Sequence, residues 1–432
     1  MKETSISDTT ISPLQAELPE ALREPTRTKS LPFMVLYMVA NMVIGVGNIA
    51  IATILLPEHI ATLTSTGQTD VFSLILGLGA LAAVLTNPIV GMLSDRTTSP
   101  LGRRRPWYIT GGLLTVLDIF LMARAPSLLL LALSYLVLEI AITIFLVALS
   151  AIIPDQVPVR QRATISALAG GPGVLLGGLV GQVLVAQVFT ALPVAYVSLA
   201  VTIAIMVALF LIILREVPLA KEQFSARQGN QALAILKPLG RRDFALVWVA
   251  RCLIFLGYTT VVNFMFLFLQ DAVHYTQLFP GKTTAQGVSM FFALNVGSII
   301  VASLVGGMIS DKLQRRKLFV IVASVIMTVG LLPYAFFPSW SMVLVGAAVV
   351  GVGFGVFLAV DLALATQVLP AATDRGKDIG IINAAIFVPM ILSPLIAGIT
   401  LGALHSYLPL FALLAVGTLI AAVLIVPIKS VR

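Results

Sequence analysis

The segment GMLSDRTTSPLGRRRP, residues 91–106, decides the fold, because a shorter copy of it, GMISDKLQRRK, recurs at residues 307–317. Gly91 and Gly307 begin the two copies and are separated by half the length of the 432-residue chain. Each copy lies in a basic gap between two long apolar segments. A motif that repeats at half-length in such gaps predicts two homologous membrane-embedded halves rather than one globular core.

Composition indicates that most of the chain lies in lipid. Hydrophobic residues make up 59% of the sequence and charged residues 11%, whereas a soluble domain is about 25% charged. The chain contains twelve apolar segments of about the length that a helix needs to cross the hydrocarbon core, and none alternates as a strand does. We predict an all-α membrane protein with twelve transmembrane helices in two pseudo-symmetric six-helix bundles. The segments are residues 33–56, 71–93, 107–123, 128–150, 164–188, 192–213, 244–269, 286–309, 318–336, 341–366, 379–402 and 406–427.

Polar segments divide the chain into five parts. Residues 1–31 form a polar tail without the apolar core of a signal peptide, and we expect this tail to be cytoplasmic and disordered. Residues 32–213 and 243–428 are predicted to form the N-terminal and C-terminal six-helix bundles. The polar residues 214–242 are the predicted cytoplasmic linker, and residues 429–432 the predicted cytoplasmic C-terminus.

The distribution of lysine and arginine predicts the orientation. With the N-terminus inside, nearly all of the 27 basic residues fall in cytoplasmic segments, while Arg124 and Lys282 lie outside and Arg251 lies within a helix. Both termini are therefore expected in the cytoplasm. We also expect the protein to lie in the plasma (cell inner) membrane and to be a monomer. The net charge of +8 reflects this topology and predicts no nucleic-acid partner, because the basic residues are divided among short loops.

Several kinds of chemistry are excluded by the sequence. Cys252 is the single cysteine, so an internal disulfide or a cysteine metal site is not expected. The three histidines, His59, His274 and His405, fall near predicted outer loops, where we expect them to be solvated. The phosphate-binding, zinc-protease and serine-hydrolase signatures are missing. We therefore expect no enzyme, no cofactor and no resident metal, and any pumping must use an ion or substrate gradient.

These features resemble the major facilitator superfamily over the whole chain. Twelve helices in two halves, with G-x-x-x-D-[RK] in loops 2-3 and 8-9, are typical of it. Within that superfamily, SDRTTSPLGRRRP (residues 94–106) is similar to the loop signature of the bacterial glycoside-pentoside-hexuronide and sucrose-proton symporter-like group. The segments at residues 153–167 and 368–385 also resemble that group. The resemblance implies alternating-access symport of a small polar solute, a sugar or glycoside, with a proton or sodium ion.

The repeated motif is a candidate cytoplasmic latch. Its carboxylates could accept hydrogen bonds from a helix N-terminus, and its arginines could pair with cytoplasmic carboxylates. The glycines are expected to allow close backbone approach and a tight turn. In transporters that this chain resembles, such a latch favours the outward-open state; the alternative is that the loop only fixes topology. The first set is Gly91, Asp95, Arg96, Gly102, Arg103, Arg104, Arg105 and Asp155; the second is Asp311, Lys312, Arg315 and Arg316, with Asp374 and Asp378.

Four charged residues fall inside predicted membrane helices, where a charge is costly and usually marks a pathway or a pair. Glu139 ranks first as the proton or substrate carboxylate, because helix 4 lines the cavity in the family that the chain resembles. Arg251 of helix 7 is its expected counter-charge; it could instead pair with Asp361 of helix 10, or snorkel to the interface. Asp118 of helix 3 ranks last, because packing explains it on an outer helix.

Uncharged polar residues in the helices are candidates for the substrate cavity. Amides donate and accept at once, which suits sugar hydroxyls, and aromatic rings can stack on a sugar's apolar face. Each candidate has an alternative role in hydrogen bonding between helices. The candidates are Tyr37, Asn41, Asn48, Tyr135, Tyr258, Asn263, Asn295 and Asn383.

Helix 5 keeps a second function open. Its sequence GGPGVLLGGLVG, residues 170–181, is rich in glycine and resembles the drug-proton antiporter branch of the superfamily. Plant-type sucrose symporters carry an arginine in helix 5, and this helix has none. Proton-coupled export of an amphipathic compound is therefore the alternative to sugar import. A non-transporting receptor or scaffold is a third hypothesis, disfavoured because the buried charges would have no task.

Overall fold

The computed structural model describes residues 28–158, 161, 162, 165, 171–213, 241–313, 315–367 and 375–428. Within these residues the long elements are helices. They are α1 (Leu31–Leu63), α2 (Gln68–Asp95), α3 (Arg105–Met122), α4 (Leu128–Gln156), α5 (Gly171–Val183), α6 (Leu192–Ile213), α7 (Arg242–Asp271), α8 (Thr284–Leu313), α9 (Arg316–Phe336), α10 (Trp340–Gln367), α11 (Arg375–Leu404) and α12 (Tyr407–Ile425). A single helical turn, Tyr275–Leu278, lies between α7 and α8.

Ten of these helices are long and apolar enough to cross a membrane by length and composition. The other two are α3, whose 18 residues include both Arg105 and Asp118, and α5, which a π-helical turn at Leu184–Val188 lengthens. The chain is thus an all-helical, multi-pass membrane protein in the part that the structure describes.

The observed boundaries lie close to those expected from the sequence. Helix α1 begins at Leu31 and α7 at Arg242, one residue before the predicted starts of the two bundles. Most of the predicted tail and linker, residues 1–27 and 214–240, lies outside the described residues, as do residues 429–432.

The two halves repeat the same pattern of helix packing. In the first half α3 packs on α4 and α6, α2 packs on α4, and α1 packs on α5 and α6. Adding six to each helix number gives the packing of the second half: α9 on α10 and α12, α8 on α10, and α7 on α11 and α12. The contacts between halves obey the same rule, since α5 packs on α8 and α2 on α11. The half-length repeat in the sequence therefore corresponds to a repeat in the fold.

Glycines bring α1 and α5 into backbone contact. A Cβ atom placed on Gly45 would lie 1.9 Å from the carbonyl oxygen of Val174, and one on Gly177 would lie 2.2 Å from that of Met42. Helix α1 also contains two π-helical turns, Gly45–Ile49 and Ile51–Leu55. Such turns shift the register of a helix, and they change which side chains beyond Ile44 share a face.

The halves meet closely at the end of the bundle where α2 and α8 begin. Here Gln270 Nε2 donates to Gln68 Oε1 at 3.0 Å, and Gln187 Nε2 donates to Ser289 Oγ at 2.9 Å. A Cβ atom on Gly398 of α11 would lie 3.1 Å from that of Ser73 on α2. The bundle is therefore closed at this end, which is opposite to the end bearing the repeated motif.

Candidate functional site

Glu139 is a buried carboxylate in the middle of α4. Its side chain is 4% exposed, and its Oε1 accepts a hydrogen bond of 2.6 Å from Asn48 Nδ2 on α1. Tyr135 lies one turn earlier on α4 as a second hydrogen-bonding neighbour. Gly79 of α2 leaves room for both side chains, because a Cβ there would lie 2.5 Å from the Tyr135 ring. Among the described residues no Lys or Arg forms an ion pair with Glu139.

Arg251 pairs with Asp361 inside the second half. Arg251 Nη2 on α7 lies 2.9 Å from Asp361 Oδ2 on α10, and both side chains are buried. The guanidinium also lies over the Phe255 ring, 5.7 Å from its centroid. The expected Arg251–Glu139 pair is not formed, and the alternative pairing with Asp361 is the one observed. An arginine that is 5% exposed does not snorkel to the interface.

Two nitrogens of Arg251 have no acceptor in the described part of the chain. Both Nε and Nη1 are buried without a hydrogen-bond partner. A buried guanidinium with unfilled donors is costly, so its position depends on the one carboxylate that it does contact. Asp361 therefore holds the charge of Arg251 in place, while Glu139 is left with neutral donors.

Tyr258 and Asn295 are engaged in packing between helices of the second half. The Tyr258 hydroxyl donates to Asn295 Oδ1 at 3.2 Å, and Asn295 Nδ2 donates to the Ala347 carbonyl at 2.9 Å. The Tyr258 ring stacks on Phe354 with centroids 3.8 Å apart. These contacts join α7, α8 and α10.

The polar residues of α1 divide into two groups. The Tyr37 hydroxyl donates to the Leu149 carbonyl at 3.4 Å, and Asn41 Nδ2 donates to the Tyr37 carbonyl of its own helix. Asn48 is the member that contacts a titratable side chain, and it lies in the first π-helical turn. Of the remaining candidates, Asn263 is half-buried on α7. The side chain of Asn383 lies outside the described residues.

Asp118 is 3% exposed on α3, and its Oδ2 has no hydrogen-bond partner in the described residues. On the same side of the first half, His59 contacts Tyr196 Oη through Nδ1 at 3.3 Å and the Ala125 carbonyl through Nε2 at 3.2 Å. The expectation that His59 is solvated was wrong, because α1 continues to Leu63 and buries it. His274 and His405 are exposed.

The first copy of the repeated motif forms an ion-pair network within its own half. Arg104 Nη2 lies 2.5 Å from Asp95 Oδ1, and Arg104 Nε lies 3.0 Å from Asp155 Oδ2. Arg104 also donates to Ser94 Oγ at 2.6 Å, and Arg103 lies 2.6 Å from Asp155. The network joins the end of α2, the beginning of α3 and the end of α4.

The other residues of the motif have separate roles. Gly102 has φ of 109°, which a tight turn requires and which favours glycine. The expected close approach at Gly91 was wrong, because the nearest atom to a Cβ there is 4.0 Å away. Arg105 donates to the Leu211 carbonyl at 3.1 Å, and Arg96 is exposed.

The second copy of the motif is described only in part. Arg315 precedes α9, and its carbonyl accepts a hydrogen bond from the backbone of Leu318. The side chain of Asp311, and all of Asp374, lie outside the described residues, as does the side chain of Asp378.

Sequence analysis missed the polar residues that join the two halves. Gln68, Gln187, Gln270 and Ser289 form the two cross-half hydrogen bonds described above. A signal was present, since amide side chains near the ends of apolar segments are rare. The predicted candidates were charged residues and Asn or Tyr residues of the helices, and no glutamine or serine was among them.

The two halves have matching packing patterns and meet through the α2–α11 and α5–α8 contacts. Together with the family match given next, this defines the class of protein as a multi-pass membrane transporter built from two repeated halves, and not an enzyme. The family description "Major Facilitator Superfamily" matches residues 35–300 and 281–431. The chain belongs to the Major Facilitator Superfamily.

Two known proteins are similar to parts or all of the chain. The general alpha-glucoside permease of Schizosaccharomyces pombe (strain 972 / ATCC 24843) is 31% identical over 137 residues, which cover 27% of this chain and 25% of that protein. The chain thus matches about a quarter of that relative's length. The crystal structure of the nucleoside transporter NupG (D323A mutant) superposes with a TM-score of 0.72 over 92% of this chain and 99% of that one. At 14% identity this likeness shows the fold alone.

Proposed function

We propose that the protein is a proton-coupled symporter that imports a sugar or glycoside by alternating access, and that Glu139 carries the proton. The observation that supports this most strongly is the absence of a cationic partner for Glu139 among the described residues. A buried carboxylate in a membrane helix without a counter-charge is stable when it is protonated. Asn48 and Tyr135 can donate to its charged form while the proton is away.

The substrate class rests on two similarities and on the site's chemistry. The alpha-glucoside permease segment and the loop signature of the glycoside-pentoside-hexuronide group both favour a glycoside. Asn48 Nδ2 already donates to Glu139, and its carbonyl oxygen is an acceptor for a hydroxyl. In this proposal the coupling carboxylate, Glu139, lies beside the Asn48 amide, which can bind a hydroxyl of a polar solute.

We propose that the structure represents an inward-facing state, with both termini in the cytoplasm. We also propose that the transporter lies in the plasma membrane as a monomer. The positive-inside distribution assigns the motif end to the cytoplasm, and the opposite end is closed by the two glutamine contacts. We include α3 and α5 as membrane spans, which gives twelve. The reason is the six-helix offset: α9 and α11, their counterparts in the repeat, are each apolar enough to cross.

Transport assays in proteoliposomes test the proposal. Accumulation of labelled sucrose and maltose under an inward proton gradient is compared with equilibrium exchange, for wild type and for Glu139→Gln. We expect Glu139→Gln to lose gradient-driven accumulation and to retain exchange, because exchange needs no net release of the proton. Asp118→Asn is the matched control, since it neutralises another buried carboxylate of the same half, and it is expected to retain accumulation.

Other outcomes reject specific parts of the proposal. Gradient-driven extrusion of a cationic dye without sugar uptake would identify the antiporter alternative. Sugar accumulation driven by sodium in the absence of a proton gradient would reject the proton as the coupling ion. Full accumulation by Glu139→Gln, with Asp118→Asn inactive, would transfer the coupling role to Asp118.

A further inference from the structure

A cavity of about 600 Å³ lies at the closed end of the bundle, away from Glu139 and Arg251. Its wall contains the ends of α7, α9 and α11 and the beginnings of α2 and α12. The lining residues used below are Thr69, Phe268, Asp271, Tyr334, Phe336, His405 and Tyr407. Since Thr69 belongs to the first half and the others to the second, the cavity spans the contact between halves.

Asp271 is the acidic group of this cavity. The Tyr407 hydroxyl donates to its Oδ2 at 3.0 Å. Among the described residues no Lys or Arg lines the cavity or forms an ion pair with Asp271. A second carboxylate, Asp70 on α2, lies beside this region, because a Cβ on Gly402 would come within 2.8 Å of its Oδ1. The local charge therefore favours a cation.

Aromatic rings form the inner wall behind Asp271. Phe268 meets Tyr407 edge to face with centroids 5.2 Å apart, and it meets Tyr334 in the same way at 6.1 Å. Phe268 and Tyr334 are fully buried by this packing and support the Tyr407 ring. The accessible rings of the cavity are Tyr407 and the exposed Phe336, which can contact a cation and bury an apolar arm attached to it. A carboxylate at the mouth of an aromatic cavity suits an ammonium group that carries an apolar substituent.

The backbone at the mouth of the cavity is held in a strained conformation. His405 has φ of 46° and His274, three residues after Asp271, has φ of 53°; both lie in the left-handed region that favours glycine. Strain of this kind persists where the surrounding structure fixes it, and it is concentrated at ligand sites. Here His405 turns the chain from α11 into α12 and so places Tyr407 against Asp271.

We infer that this cavity is a second binding site, for a primary ammonium group attached to an apolar moiety, with Asp271 as the anionic contact and Phe336 and Tyr407 as the accessible aromatic wall. The site is separate from the proposed transport site. A ligand bound there contacts α2 of one half and α7, α11 and α12 of the other. Its binding is therefore linked to closure of this end, and an occupied site opposes the opening that transport requires.

Calorimetric titration of the full-length protein in nanodiscs of zwitterionic phosphatidylcholine tests the site with 2-phenylethylammonium as the probe. We expect saturable binding that Asp271→Asn weakens about tenfold or more, since the ion pair between the carboxylate and the ammonium group is lost while the aromatic rings remain. Glu58→Gln is the control for charge removal, because Glu58 is a half-buried carboxylate of the first half that does not line the cavity. It is expected to leave the affinity unchanged.

A ligand control keeps the test valid if Asp271→Asn folds poorly. The neutral analogue 2-phenylethanol has nearly the same shape, and wild type is expected to bind it at least about tenfold more weakly than the ammonium compound. Equal binding of the two compounds, equal binding by wild type and a folded Asp271→Asn, or no saturable binding by wild type would overturn the inference.

The ammonium group has two natural sources, a soluble amine or the ethanolamine headgroup of a lipid. Repeating the titration in nanodiscs that contain phosphatidylethanolamine separates them. A weaker apparent affinity for 2-phenylethylammonium in those nanodiscs identifies the lipid headgroup as the occupant. An unchanged affinity identifies a soluble amine.

Discussion

Arg251 forms its ion pair with Asp361, 2.9 Å away on α10, and leaves Glu139 of the other half without a counter-charge. The two buried acids thus have different electrostatic environments, although both lie in helices expected to line the cavity. A charge-paired acid stabilises the second half, and an acid with only neutral donors remains available for a proton. On the function proposed above, Asp361 has a structural role and Glu139 carries the proton.

Removing one partner of the Arg251–Asp361 pair should destabilise the protein more than removing both. Asp361→Asn leaves a buried guanidinium without its carboxylate, a change that costs roughly 3–5 kcal/mol in buried pairs. The double variant Arg251→Met/Asp361→Asn removes the charge as well and should recover part of the loss. Thermal melting of the detergent-solubilised protein, followed by size-exclusion chromatography, measures the difference. A double variant that melts no higher than Asp361→Asn would contradict the prediction.

The motif network predicts unequal effects for its two carboxylates. Asp155 contacts both Arg103 and Arg104 and its side chain is 23% exposed, whereas Asp95 contacts Arg104 and is 61% exposed. Because solvent screens an exposed pair, Asp155→Asn should reduce the rate of uptake per molecule more than Asp95→Asn does. Initial rates normalised to protein in the membrane provide the measurement. Equal rates for the two variants would show that the network has no such asymmetry.

Glycines of similar appearance in the sequence should differ sharply in tolerance. Gly177→Ala places a methyl group 2.2 Å from the Met42 carbonyl oxygen and must push α5 away from α1. We expect a loss of roughly 1–3 kcal/mol in stability, as for overpacked cores. Gly91→Ala meets no atom nearer than 4.0 Å and gains helix propensity, so its melting temperature should equal or exceed that of wild type. A stable Gly177→Ala would contradict the observed helix packing.

The fold could be predicted from the sequence because its determinants are local and repeated. Apolar length predicted the helices, and the copies at Gly91 and Gly307 predicted the two halves that the packing of α1–α6 and α7–α12 repeats. The partner of Arg251 could not be chosen, since Glu139 and Asp361 satisfy the same spacing argument and only the packing of α7 on α10 decides between them.

The details of α1 were also out of reach of periodicity. Two π-helical turns interrupt the spacing of 3.6 residues per turn between Tyr37 and Asn48. In the structure both side chains contact α4, Tyr37 at the Leu149 carbonyl and Asn48 at Glu139, and the spacing alone did not identify Glu139 as the partner of Asn48. The glycines of residues 170–181 predicted that helix 5 approaches a neighbouring helix closely. In the structure α5 contacts the backbone of α1 at Gly45, where the first π-helical turn begins. The contact between Gln68 and Gln270 joins uncharged residues that lie far apart in the chain, so the positions of the two glutamines did not show that they meet.

Closure at the α2–α11 contact should depend on Gly398. A Cβ added at Gly398 would lie 3.1 Å from that of Ser73, so the larger side chain of Gly398→Leu forces α11 away from α2 and favours the state in which this end is open. A reporter cysteine, Ser289→Cys, is placed at the α5–α8 contact, away from Gly398, where the native side chain is 3% exposed. The native Cys252 is replaced by alanine so that the reporter is the cysteine that reacts. We expect a membrane-impermeant maleimide to label this cysteine several-fold faster in Gly398→Leu. Gly297→Leu is the matched control, because no atom lies within 4 Å of a Cβ at Gly297. Labelling that is equally slow in both variants would mean that the contact does not control closure.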